Sequence, residues 1–239
     1  VAVDVAAPFP ALSPGQPTRS ITITIAKTRC MPAVSDDAQT TSSLVLACGS
    51  PMTSPISNVI GFDDAPFAHS HRGNVLLVGT ICSRTRLDGV VSSQVRRDGV
   101  NSTSRMIEML RASQFAEHVR AVLLQGIAVA GFNVVDMARL HDELGVAVLA
   151  IARRLPNLPA IKIALKKTGA GWHNKWRLIE QAGPMEKAGS IYVQRAGLTL
   201  EEARHLLAAT TLHGNLPEPL RLAHLIAGGV TTGASRGRA

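Results

Sequence analysis

The chain has 239 residues, 46% apolar and 18% charged, enough for one sizeable core and too apolar overall for a disordered or fibrous protein. Its 25 lysines and arginines exceed its 17 acids by 8, which favours an anionic partner with nucleic acid foremost, while an aromatic content of 3% speaks against a base-stacking platform. No run approaches the roughly 20 apolar residues of a membrane span, no signal-type block opens the chain, and Cys30, Cys48 and Cys82 lack metal or disulfide spacing; the expectation is a cytoplasmic protein with no membrane partner.

Residues 1–51 are rich in Pro, Ser, Thr and Ala, with only the run from Ser20 to Lys27 alternating like a strand. Arg19, Lys27 and Arg29 cancel Asp4, Asp36 and Asp37, so the whole excess of +8 falls on the remaining residues. This stretch is expected to be a disordered or mis-annotated N-terminal extension, with Met52 a candidate translation start and 52–239 the domain proper. From there "ISNVIGFD" (56–63), "NVLLVGTIC" (74–82) and "DGVVSSQVRRDG" (88–99) read as three strands on short, antiparallel connections. "STSRMIEMLRAS" follows as a helix and "RAVLLQG" as a continuous apolar strand, the mark of a buried parallel position. "NVVDMARLHDELG" reads as a helix with Asn133 at its N-cap and Gly145 closing it, and "VAVLAIARR" as a further buried strand. The order β-β-β-α-β-α-β is that of a ribonuclease H-like fold: an α/β mixed sheet, three antiparallel strands then parallel strands, flanked by helices. Beyond it come a helix from Trp172 to Gln181, the strand "SIYVQRAG", a helix whose capping box joins Thr199 and Glu202, and a last helix with Pro219 in its first turn, ending at glycine.

Several segments are specific enough to place the chain among known proteins. "GFDDAPF", "GFNVVDMARLHDELGVAVLAIARR", "WRLIEQAGP", "IYVQRAGL" and "TTLHGNLPEPLRLAHLIAGG" with "SRGR" resemble the endonuclease dU family, over residues 56–238. A fainter likeness to endonuclease V rests on "GFD" and "ELGVAVLAIARR". The resemblance implies cleavage of DNA near a deaminated base, uracil or hypoxanthine, with RNA an open alternative, and it implies Mg2+ or Mn2+ as cofactor.

Such chemistry needs carboxylates at strand ends, because Mg2+ prefers oxygen ligands and keeps several waters. Asp63 ends the first strand and matches the family's first acid; the other reading is a turn residue before Pro66. Asp64 is adjacent and points the other way if the strand continues. Asp98 follows the third strand where the related endonucleases present an acid, although Asp-Gly is also a turn signal; Asp88 reads as a turn only. The family pattern places Asp-Gly after the fourth strand, whereas this chain has Gln125-Gly126. An amide coordinates Mg2+ weakly and carries no charge, so three readings stand: a weakened but working site, a carboxylate shifted to Asp136, or a non-catalytic nucleic-acid-binding protein. Asp136 itself reads better as a solvated helix residue. Arg97, Arg153 and Arg154 are the candidate phosphate contacts, and Lys162, Lys166 and Lys167 form either a phosphate-facing or a merely solvated face. Trp172 and Trp176 read as buried rather than as base-stacking residues, Glu218 and Arg221 as structural, and His141 and His224 as isolated helical residues outside any metal site.

Overall fold

The computed structural model describes residues 58–169 and 171–235; the N-terminal extension, Met52 and the arginines of "SRGR" lie outside them. In chain order the elements are β1 (Asn58–Asp64), β2 (Asn74–Ser83), β3 (Arg86–Arg96), α1 (Ser102–Arg111), β4 (Ala121–Gln125), β5 (Ala128–Val129), β6 (Asn133–Val134), α2 (Met137–Leu144), β7 (Ala147–Ala152), α3 (Leu158–Lys166), α4 (Trp172–Gln181), β8 (Glu186–Ala188), β9 (Ile191–Ala196), α5 (Leu200–Thr210) and α6 (Glu218–Thr232).

Unbroken apolar runs sink to the middle of the sheet and alternating runs go to its margin. Strands β1, β4 and β7 are buried nearly throughout, whereas β3 shows water most of its length. The sheet order is β3-β2-β1-β4-β7-β9-β8. Within it β1, β2 and β3 are antiparallel neighbours, β4 and β7 run parallel to β1, and β9 and β8 turn back antiparallel. This is the ribonuclease H-like arrangement, with an antiparallel pair added beyond the last parallel strand.

The period of two divides the interior into two layers. Ile60, Phe62, Val122, Leu124 and Val148 face Met106, Leu110 and Leu140 of α1 and α2. Val59, Leu123 and Leu149 face Leu206 and Leu220 of α5 and α6. On that second side α6 comes unusually near β1 at Gly61, where an added Cβ would lie 2.6 Å from the Pro219 carbonyl carbon. The Thr80 hydroxyl donates to the Pro219 carbonyl and fixes the same crossing.

Three boundaries differ from the sequence reading. Asn133 is no N-cap: it sits in β6, and its buried side chain bridges Ser102 N, the Arg96 carbonyl and Asn101. The cap of α2 is Asp136, whose carboxylate accepts from Arg139 N, because β5 and β6 use the intervening residues for a two-stranded hairpin. Asp88 is a strand residue paired with Arg86 rather than a turn. Finally α6 runs through Gly228 and Gly229 to Thr232, since the left-handed cap comes only at Gly233. No helix among the described residues is long and apolar enough to cross a membrane.

Candidate functional site

Strand register brings the first two candidates together. Phe62 pairs with Leu124 in the parallel β1–β4 ladder, so the next residues, Asp63 and Gln125, stand level with each other at the carboxyl end of that ladder. In open α/β sheets that end is where ligands are held. Asp63 is 8% exposed, and its carboxylate lies 2.9 Å from Nδ1 of His224. Local geometry explains the contact. The start of α6 rests on Gly61, and one helical turn carries the chain from Leu220 to His224 while two strand residues carry it from Gly61 to Asp63. Burial pushes the Asp63 carboxyl above its usual range, and His224 pulls it back in part.

Asp64 is pushed up to about 6, first by burial and then by the charge of Asp63, against the pull of a hydrogen bond from the Ala130 N–H. Gln125 contributes a buried amide oxygen with no hydrogen-bond partner. Such an atom ordinarily costs on the order of 1–3 kcal/mol, and it belongs to the residue level with Asp63 in the parallel ladder. Among the described residues no three Asp, Glu, His or Cys side chains gather as a metal-binding cluster. Asp63, Asp64 and Gln125 are nonetheless all oxygen donors, the type Mg2+ takes where one or two carboxylates hold it and substrate phosphate and water complete its shell.

Asp98 stands apart from this trio and is committed to the loop opposite. It adopts a left-handed backbone at φ 51°, accepts from Phe132 N at 2.8 Å, and lies 3.2 Å from Arg97 Nε. That Arg97 N–H is not aligned with any acceptor, so the contact is an ion pair rather than a hydrogen bond. The Asp98 backbone N–H donates to the Ala130 carbonyl at 2.9 Å, and Lys175, 5% exposed, donates to the Asp98 carbonyl. Asp64 and Asp98 thus hold opposite ends of the same residue, Ala130, itself at φ 47°.

The basic candidates separate too. Arg153 and Arg154 follow β7 at the same sheet end as Gln125, exposed and without a side-chain partner among the described residues. Arg97 is half-buried, donating to the His69 and His71 carbonyls and lying 5.3 Å from the centre of the Phe67 ring. Lys162 and Lys166 lie over Trp176 and Trp172, 4.5 and 5.3 Å from their ring centres, and both indoles pack on the small cluster of Leu165 and Ile179. Asp136 is a helix cap, and Glu218, 3% exposed, is held bidentate by Arg221 at 2.9 and 2.6 Å. An apolar chamber of about 450 Å3 opens beside Gln125, lined by Gly126, Ile127, Phe132, Leu155, Ile179 and Met185.

Sequence reasoning missed His224 and Lys175. A histidine on an amphipathic helix carries no mark of the strand it will meet, and the one signal for His224, the glycine that lets α6 approach, lies more than 150 positions away. A lysine in "WHNKWRLIEQ" likewise looks solvated until its helix is placed.

The model of the family described as endonuclease dU matches residues 55–231. A UPF0215 protein of Deinococcus radiodurans is 53% identical over 183 residues, covering 77% of this chain and 93% of the relative. The crystal structure of a protein of unknown function from Archaeoglobus fulgidus superposes with a TM-score of 0.69 at 31% identity, over 74% of this chain and 99% of that one. Endonuclease V of Ciona intestinalis, solved with inosine-containing DNA, follows at a TM-score of 0.47 and 15% identity over 70% and 82% of the two chains; at that distance it adds nothing to a fold already fixed by the sheet order. The chain belongs to the endonuclease dU family.

Proposed function

We propose that this protein is a metal-dependent endonuclease that acts on DNA containing a deaminated base, uracil or hypoxanthine. The observation that supports it most is the orphaned, buried amide oxygen of Gln125, a residue level with Asp63 at the carboxyl end of the parallel strands. Bound there, Mg2+ or Mn2+ would relieve negative charge on a phosphodiester and lower the pKa of an attacking water. Asp63 and Asp64 are the anionic ligands, Gln125 is a neutral third, and His224 orients Asp63 through its ring N–H. Arg153 and Arg154 are free to meet the strand's phosphates. The apolar chamber that begins at Gly126 has room for an unstacked base beside these groups. Asp98, expected from the sequence as a further metal ligand, acts in this reading on the loop that Asp64 touches.

One observation favours a second reading. The neutral Gln125 stands where a third carboxylate would strengthen the site, and a nucleic-acid-binding protein without catalysis would keep the basic residues and lose the acid. Strand cleavage of end-labelled uracil- and inosine-containing DNA, and of the matching RNA, decides between them. Assays with Mg2+, Mn2+ or chelator should show metal-dependent cutting by the natural chain and none by Asp63→Ala. Cutting gained only in Gln125→Asp would overturn the nuclease reading for this chain and support the binding one.

A further inference from the structure

A second cavity, of about 840 Å3, shares Gly131 and Phe132 with the apolar chamber. It is built by the loop between β1 and β2, the end of β3, the tip of the β5–β6 hairpin and the end of α3, and its polar lining is His69, Arg72, Arg96, Arg97, Lys167 and Asp98. Four fixed cations face one carboxylate.

The arrangement of those cations is unusual for a surface that serves only solubility. Arg72 and Arg97 each direct Nη1 at the same two acceptors, the carbonyls of His69 and His71, with Arg72 at 3.3 and 3.0 Å. The two guanidinium groups are therefore next neighbours, no farther apart than two hydrogen bonds laid end to end. Like charges so placed repel, and the fold holds them there by backbone carbonyls on Nη1 and by Asp98, 3.2 Å from Arg97 Nε, which leaves the Nη2 groups unspent. Arg96 and Lys167 add two exposed charged heads with no protein partner among the described residues. Convergent, under-used guanidinium donors are matched by phosphate oxygens better than by any other common anion. Phe67 and Phe132 add apolar walls that a sugar or base edge would cover.

Position supplies the identity of the phosphate. Asp98, which lines the chamber, is joined to Asp64 through a single residue, Ala130, bonded to Asp64 through its N–H and to Asp98 through its carbonyl. We infer that the chamber is a phosphate subsite for the nucleic-acid strand itself, gripping the backbone a short way from the bond at Asp63 and Asp64. This rests on the nucleic-acid reading above but not on catalysis.

The test is equilibrium binding of a fluorescein-labelled DNA 20-mer to the full chain, in chelator so that no cutting intervenes, across a series of salt concentrations. Arg96→Gln/Lys167→Gln removes two heads that bond to nothing in the protein, so folding should be untouched. Arg84→Gln/Arg120→Gln removes the same charge from two exposed arginines, Arg84 just after β2 and Arg120 just before β4, at the end of the sheet away from the site. The chamber variant should lose at least about fivefold in affinity at 0.1 M salt, and its log–log salt slope should fall by about 1.5, near 0.7–0.9 per lost contact; the control variant should change less than twofold. Equal loss in both variants, or in neither, overturns the subsite. Inorganic phosphate and pyrophosphate form a separate arm: tight binding that the chamber variant abolishes, with oligonucleotide affinity unchanged, would assign the chamber to a free phosphate ligand and also overturn the proposal. No DNA binding by the natural chain would instead remove the nucleic-acid reading as a whole.

Discussion

Asp64 is the side chain whose ionisation says most about the site. Unfolded, it loses its proton near its ordinary value of 3.8; folded, near 6. Between those values the folded chain binds the extra proton, so stability falls as pH rises from about 4 to about 6. Asp64→Asn should remove that slope and, at pH 7, stabilise the metal-free protein by at most about 3 kcal/mol, read as a rise in the urea midpoint. A divalent cation reverses the balance by favouring the ionised form, so Mg2+ should raise the melting temperature more at pH 7 than at pH 5. An equal shift at both pH values would sink the role given to Asp64. Gln125→Asp should behave in the opposite sense to Asp64→Asn: a third buried acid lowers metal-free stability by roughly 1–3 kcal/mol, and Mn2+ should restore it. At this scale the sequence could be read as far as strand ends reach. Asp63 and Gln125 were legible because an apolar run stops at each, whereas the raised pKa of Asp64 and the histidine partner of Asp63 depend on side chains brought in by later elements.

Among the elements, α6 is the one whose placement decides the site. Its docking on β1 tolerates no side chain at Gly61, because the two nearest atoms an added methyl would strike are backbone and the third is the proline ring's Cβ. Gly61→Ala should cost about 1–3 kcal/mol in denaturant unfolding, and it should separate His224 from Asp63 as well, detectable as changed chemical shifts of the His224 ring by NMR. A Gly61→Ala protein with natural stability would mean that the helix is free to shift. Asp98 gives a sharper contrast. Asp98→Asn keeps an oxygen for Phe132 N–H, so metal-dependent cutting should survive it; cutting lost without loss of stability would restore Asp98 as a metal ligand. The long elements were legible from period and caps, including the capping box at Thr199 and Glu202. The β5–β6 hairpin was not, since two-residue strands show no period, and the cap of α2 was misplaced by three residues as a result.

For the molecule as a whole, order along the chain predicted order in the sheet. Short connections made the first three strands neighbours and the continuous apolar runs became the parallel centre, so the ribonuclease H-like topology was legible before any contact was known. The cavities were not, because each is assembled from segments far apart in the sequence that share only a rim at Gly131 and Phe132. The close seat of α6 on Gly61 has one more consequence, for the time before folding is complete. A ribosome has made β1 through α5 before it makes the helix that carries His224, so Asp63 stays unpartnered and one side of β1 and β2 uncovered until the last described element emerges.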